Sequence, residues 1–449
     1  MSGSGRDLTT GQVFRTWWPL AASWILMALE GPLQTIFVAR LADPKIHLAA
    51  FGSLVLPIAM LIEAPIIMLL SASTALCVDH DAYRRIRRFM HGLSAALTAL
   101  HVLLALTPLY QLLVVNVLHA PLEIVEPARI GFILMIPWTW AIAYRRFNQG
   151  VLIRFGRSIT VGVGTLIRLL ANGVVLTLGF TVFKVPGTTL ACLAVMAGVL
   201  SEAAYAGLCV RPVLRTALPR ESESEPLSMK AFLRFYVPLS LTSLILMGIR
   251  PMLSAAVGRM PNALDSLAVL PVINGLVFLF RSVGAAYNEV VIAHLDRPGS
   301  SIVLARFARR LALATALGLV LITATPLARV WFGTISGLDG ALMDLARSGL
   351  WITILLPAFA ATQSFLQGVI LHSKKTRSIT EAVFVYLASS MVVLWIGVAV
   401  GGTSGAFVAL ASMAVGELLR TAWFFWRSRE PRRVLRERDR GKRPATAEA

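Results

Sequence analysis

Acidic residues are scarce in this chain. Only 23 Asp and Glu stand against 42 Lys and Arg, which leaves a formal charge of +19 over 449 residues. Charge of either sign is thin, because 14% of the residues are charged and 57% are hydrophobic. That balance excludes an ordinary soluble globular surface. There are three cysteines, Cys77, Cys192 and Cys209, in or at the ends of apolar stretches and without metal spacing. They read as small packing residues rather than as a disulfide framework or a zinc site. The seven histidines are scattered and form no His-Glu-x-x-His pair. No Walker-type phosphate loop is present, which argues against an ATP-driven pump. No Gly-x-Ser-x-Gly nucleophile elbow occurs. The chain therefore reads as a non-enzyme with no cofactor and no metal. Strands of about 10 alternating residues, the mark of a membrane barrel, are also missing.

Long apolar stretches are what the sequence has instead. They recur over 14–39, 48–76, 89–118, 128–153, 158–183, 187–211, 231–257, 266–294, 307–331, 345–371, 378–400 and 403–427. Each approaches the roughly 20 residues that a hydrocarbon core requires of a helix. Backbone polar groups in lipid must be satisfied within the segment, so the expectation is an all-α protein of twelve transmembrane helices. The first stretch is too long, and its flanks are wrong, for a cleaved signal peptide.

Most of the Lys and Arg fall in the N-terminus, alternate loops and the tail: Arg84 to Arg88, Arg154 and Arg157, Arg211 to Arg234, Arg297 to Arg310, Lys374 to Arg377, and Arg427 onward. The positive-inside rule places both termini and the central loop in the cytoplasm. The expected location is a plasma membrane, the inner membrane in a bacterium. Loop charge that orients helices accounts for most of the excess, and no recognition helix accompanies it, so nucleic acid is not an expected partner.

The chain repeats at half-length. WPLAAS around Pro19 returns as VPLSLT around Pro238; Pro32 and Arg40 return as Pro251 and Arg259; FNQGVLI at Phe147 returns as FLQGVIL at Phe365; RSIT at Arg157 returns at Arg377. The offset stays near 219 residues. Six crossings return the chain to its starting side, so the halves are expected to be parallel repeats. The expected organisation is a cytoplasmic lead (1–13), an N-lobe (14–211), a cytoplasmic linker (212–229), a C-lobe (230–427) and a basic cytoplasmic tail (428–449). The tail lacks apolar periodicity and is expected to lack packed structure, with its charge favouring an anionic leaflet. Two matched lobes are the plan of an alternating-access transporter.

Ionisable groups within the helices are the candidate site. A charge at mid-bilayer costs at least about 2.5–3.5 kcal/mol, so each needs a partner, a watery cavity or neutralisation. Arg168 lies near the middle of its segment, with Asn172 one turn on. Arg250 immediately precedes Pro251, and Arg281 precedes Asn288 and Glu289 by two turns. Arg145 and Arg146 either snorkel to headgroups or join a site with Gln149. Arginine cannot discharge by losing a proton. Arg145, Arg168, Arg250 and Arg281 therefore line a cavity or pair with Glu30, Glu63 or Glu289. Gln149, Asn172 and Asn288 would add polar contacts. Glu202 and Glu417 read as a structural ion-pair position beside Arg420, and Arg377 with Glu381 as a surface pair. The matched prolines Pro19, Pro32, Pro238 and Pro251 suggest that the first helix of each half bends equivalently and gates a cavity.

Several motifs carry a family resemblance. They are RTWWPL from Arg15, Glu30 later in that helix, FYVPLSL from Phe235, IRP at Ile249 to Pro251, VGR at Val257 to Arg259, and VGELL from Val415. In that order, in two parallel six-helix lobes, they resemble the MATE-type multidrug and polysaccharide exporter superfamily, and within it the progressive ankylosis proteins most. The resemblance implies a MATE-like fold and export by alternating access. Animal members of that branch are linked to release of pyrophosphate, ATP and citrate. The expectation is a secondary transporter that exports such an anion, because arginine pairs with phosphate or carboxylate in bidentate fashion. Glu30, Glu63 and Glu289 would balance charge or take up a coupling H+ or Na+. Three alternatives stand beside it: multidrug efflux by proton or sodium antiport, flipping of a lipid-linked precursor, and a non-transporting scaffold.

Overall fold

A computed structural model describes residues 8–220, 227–297, 299–373 and 377–439, and every regular element among them is helical. The helices are α1 (Thr10–Val38), α2 (Pro44–Leu76), α3 (His80–Leu106), α4 (Leu122–Leu134 and Trp138–Arg154), α5 (Ser158–Phe183), α6 (Gly187–Thr216), α7 (Met229–Gly258), α8 (Ala263–His294), α9 (Ser300–Ala324), α10 (Gly340–His372), α11 (Arg377–Val400), α12 (Gly405–Arg427) and α13 (Arg429–Asp439). All but α4 and α13 are long and apolar enough to cross a membrane, eleven among the described residues. The segment expected at 128–153 falls short for a local reason. α4 breaks at residues 135–137, and its second piece carries Arg145, Arg146 and Arg154.

Two other helices are shifted most from expectation. α3 starts at 80 rather than 89 and ends at 106 rather than 118, and α9 runs 300–324 rather than 307–331. Hydropathy locates the apolar part of a helix, while the helix itself continues into its basic end. Asp79 caps α3 by accepting the Ala82 N–H at 2.7 Å. Each helix then ends before a proline, Pro108 or Pro326, where Thr107 or Thr325 accepts the N–H two residues on at 3.3 Å. The prolines of α1 and α7 also differ. α1 is interrupted at Leu29, between Pro19 and Pro32, whereas α7 runs unbroken through Pro238 and Pro251. Ser23 and Thr242, each four residues past a proline, donate to the carbonyls of Pro19 and Pro238. That back-bond bends a helix slightly.

The chain forms two compact units, and they are not the sequence halves. One holds residues 1–32 and 272–449, the other residues 33–271. The first helix of each half packs with helices of the other half, and both do it by one contact made twice. Trp17 Nε1 donates to the Val283 carbonyl at 3.1 Å and sets its ring edge-on to Phe307. In the second unit the Tyr236 hydroxyl donates to the Pro65 carbonyl and the ring sits edge-on to Phe89. Residues 17, 283 and 307 match 236, 65 and 89 at the repeat offset. Around Trp17 the first unit buries Val13, Tyr287, Val291, Phe365, Val369 and Phe424 in one apolar cluster.

Glycines show how closely the duplicated frame is kept. A Cβ on Gly131 would meet Cys192 and Val55; one on Gly349 would meet Leu410 and Ile273, the residues 218 positions later. Gly150 seats Ser73 and Leu70, and Gly368 seats Val291 and Asn288. Gly198 seats Arg168 and Asn172, and Gly416 seats Tyr386 and Ser390. Small residues let membrane helices approach to backbone contact.

The tail departs from expectation. Residues 429–439 are helical, and residues 440–449 lie outside the described residues, as do parts of the lead and linker. Pro431 sits in the first turn, where its missing N–H costs nothing. Pro431 and Leu435, four residues apart, form the buried stripe. One apolar stripe and a good anchor at the far end suffice for so short a helix.

Candidate functional site

Each unit gathers buried charge around one carboxylate near the middle of a long helix. In the unit of residues 33–271 that carboxylate is Glu202 on α6, 1% exposed. Arg145 and Gln149 lie one turn apart on α4, so both point at the same spot. The Arg145 Nη1 donates to Glu202 Oε2, and Gln149 Nε2 donates to Oε1 at 2.9 Å. Arg168 of α5 reaches to 3.6 Å of Oε2. Gly164 and Gly198 make room for this, since a Cβ on the first would touch Glu202 and one on the second Arg168. Asn172 is fully buried one turn beyond Arg168. Glu63 of α2 is buried too, with Arg145, Arg146 and Arg168 as the cations acting on it. Its Oε2 and the Nε of Arg145 and of Arg146 lack hydrogen-bond partners.

The second cluster lies in the unit of residues 1–32 and 272–449. Glu417 of α12, 3% exposed, is its centre. Arg281 of α8 donates to Glu417 Oε1, and Gln363 of α10 donates to Oε2 at 2.8 Å and to Thr421 Oγ1 at 2.8 Å. Arg420 lies 3.5 Å from Oε2. This cluster is the more open one: the side chains of Arg281 and Arg420 are 24% and 22% exposed, against 5% for Arg145. Two arginines here face one carboxylate.

The clusters occupy matching places with different side chains. At an offset of 218, Glu63 corresponds to Arg281, Arg145 to Gln363, Arg168 to Tyr386 and Asn172 to Ser390. Glu202 corresponds to Arg420, and Glu417 has moved one turn earlier.

Of the residues singled out in the sequence, the structure brings together Arg145, Gln149, Arg168 and Glu63, with Asn172 adjoining. Glu202 is the carboxylate that Arg145, Gln149 and Arg168 share. Arg281 pairs with Glu417, and Asn288 and Glu289 lie elsewhere on α8: Asn288 faces Gly368, and Glu289 is exposed. Glu30 is half-buried at the restart of α1 after its break. Arg250 is exposed on α7, its Nη1 3.8 Å from Met60 Sδ. Arg146, beside Arg145, is half-buried. Arg377 and Glu381 do form a surface pair at 3.3 Å, shared with Arg427. Sequence reasoning missed Gln363 altogether. The 218-residue match of Gln363 to Arg145 was the available signal.

No protein-family model and no curated protein sequence matches the chain. Solved structures do. The chain is similar to an inward-facing multidrug resistance MATE family transporter of the MOP superfamily, at 17% identity and TM-score 0.65, over 93% of this chain and 98% of that one. It is similar to the lipid II flippase MurJ in an inward closed conformation, at 12% identity and TM-score 0.71, over 93% and 89%. It is also similar to a MOP superfamily transporter from Pyrococcus furiosus, described by the reverse polarity of its binding pocket, at 17% identity and TM-score 0.56, over 96% and 99%. The chain therefore has the MATE-type fold, as the motif resemblance implies. At these identities the likeness carries the fold alone.

Proposed function

We propose that this chain is a secondary transporter of the progressive ankylosis type. It moves a small multivalent anion, of the pyrophosphate, nucleotide or citrate kind, outward across a plasma membrane by alternating access. One observation carries the reading: Glu417 is shared by two arginines, Arg281 and Arg420, whose side chains stay 24% and 22% exposed. Arginine keeps its charge when buried, and a partly open guanidinium offers a carboxylate or phosphate a paired donor. Arg168, Arg281 and Arg250 hold the substrate, with Arg145 supporting them through Glu202. Gln149, Asn172 and Asn288 add polar contacts. Glu63, with one buried oxygen lacking a hydrogen-bond partner, is the first candidate to accept a coupling H+ or Na+; Glu30 and Glu289 balance charge. Pro19, Pro32, Pro238 and Pro251 soften the first helix of each half.

The test is efflux of radiolabelled pyrophosphate and citrate from proteoliposomes, comparing the native chain with Arg281→Gln and Arg250→Ala. Export should fall at least tenfold in Arg281→Gln and change with an imposed pH or sodium gradient. Undiminished export in both variants overturns the anion reading. Uptake of an ethidium-like cation at native rates by both variants supports drug antiport instead.

A second reading has its own support. The TM-score is 0.71 against the lipid II flippase and 0.65 against the inward-facing MATE transporter. A lipid-linked pyrophosphate presents the same anionic chemistry to Arg281. Movement of a lipid-linked pyrophosphate between leaflets, with no export of the soluble anions, decides for it.

A further inference from the structure

The basic tail helix α13 has no part in either cluster, yet it is held firmly at both ends. One residue, Ser428, separates it from the end of α12, and α12 ends in an aromatic patch. Trp423 and Trp426 stack edge-on at 5.0 Å, while Phe425 and Trp426 are half exposed. Exposed aromatics of this kind sit at headgroup depth. At its far end, Asp439 accepts the N–H groups of Gly299 at 3.0 Å and Ser301 at 2.9 Å, and the Ser301 hydroxyl, so it caps α9. Arg438 donates to the carbonyls of Leu295 at 3.0 Å and Arg297 at 3.1 Å. Leu435 enters the apolar cluster around Trp17, and the Arg432 guanidinium lies 4.0 Å over the Phe425 ring.

Counting crossings through α9, α10, α11 and α12 puts the start of α9 and the end of α12 on one side of the membrane. A helix tied to both of those ends runs along that face of the membrane rather than away from it. Its inner side is used by Pro431 and Leu435. Its outer side shows Arg429, Arg433 and Arg436, all exposed. Glu437 lies 3.8 Å from Arg433 within that row.

We propose that α13 is a binding site for anionic phospholipid headgroups, taken by Arg429, Arg433 and Arg436. Charge complementarity and the in-plane placement both favour lipid over a soluble acidic partner. A basic residue at such a surface is worth about a fivefold preference for anionic lipid. The three together should give tenfold or more.

The experiment uses the full chain in mixed bilayers with headgroup-photoactivatable phosphatidylglycerol or phosphatidylcholine, followed by peptide mapping. Labelling of residues 428–439 should favour phosphatidylglycerol at least tenfold. It should reach parity in the triple variant Arg429→Gln, Arg433→Gln, Arg436→Gln, and stay unchanged in Arg84→Gln, Arg88→Gln. Equal labelling by both lipids in the native chain overturns the proposal, and that measurement does not depend on how the variant folds. Retained preference in the triple variant overturns it as well. So does an acidic peptide that displaces phosphatidylglycerol from α13 at micromolar concentration.

Discussion

Replacing Arg145 by glutamine should be far milder than replacing it by leucine, and the protein itself supplies the reason. The matching residue in the other unit is Gln363, which serves the Glu417 carboxylate at 2.8 Å. A glutamine at 145 can keep an N–H on Glu202, which also retains Gln149 at 2.9 Å and Arg168 at 3.6 Å. The change exchanges a charge-assisted hydrogen bond for a neutral one, a loss of about 1–2 kcal/mol. It also removes one positive charge from the cluster. Leucine removes every donor at that position and breaks a buried ion pair, leaving Glu202 with Gln149 and Arg168, at about 3–5 kcal/mol. Equilibrium unfolding in mixed dodecylmaltoside and SDS micelles measures the difference. Arg145→Gln should unfold at a detergent fraction near the native value, and Arg145→Leu well below it. Equal losses, or a larger loss for glutamine, would refute the claim that the two clusters share one frame. On the anion reading Arg145→Gln should also slow export while the fold survives.

Three further outcomes are expected. Trp17→Phe and Tyr236→Phe each remove one donor from a carbonyl on an equivalent seat, so each should cost about 1 kcal/mol in the same unfolding assay, with the two values close. Gly150→Ala should abolish monodisperse protein, because its Cβ would stand 2.4 Å from the Leu70 carbonyl oxygen, while Gly162→Ala, with nothing within 4 Å, should be neutral or slightly stabilising; size-exclusion chromatography separates them. Burial pushes the Asp439 carboxyl up, but the Ser301 hydroxyl, Arg438 and the N–H groups of Gly299 and Ser301 outweigh it and hold it below the usual carboxylate range. Its contribution to docking α13 is therefore complete above the unfolded value of about 3.9 and lost as pH falls through the lowered one. Limited trypsin digestion at neutral pH should cut the tail of Asp439→Asn much faster than that of the native chain.

The helices were legible because a hydrocarbon core demands a length, and the repeat was legible because prolines and glycines return at fixed spacing. What each helix packs against was not. Trp17 and Tyr236 announce an interfacial aromatic, but nothing local says that the partner carbonyl is 266 or 171 residues away. The arginines were visible as costly and their partners were not, since Glu202 is 57 residues from Arg145 and Glu417 is 136 from Arg281. The extra turns of α3 and α9 were hidden for a different reason. Hydropathy is blind to a helix that leaves the lipid on a basic face. The tail misled through composition: one leucine and one proline four residues apart fall below any periodic signal, and the Asp439 anchor is a tertiary contact.

Duplication has preserved shape and released charge. The glycine seats at 131 and 349, 150 and 368, and 198 and 416 meet equivalent neighbours, because backbone contact between helices tolerates no drift. The polar positions met a weaker condition, that a buried carboxylate on the last helix of each half find enough donors, and many assortments satisfy it. The two solutions differ in how dry they are. Arg145 and Glu202 are closed off, at 5% and 2% side-chain exposure, whereas Arg281 and Arg420 keep about a quarter of their surface open. A closed ion pair costs several kcal/mol to part, and an open one exchanges with water or another anion far more readily. If an anion is the cargo, it therefore competes with Glu417 for Arg281.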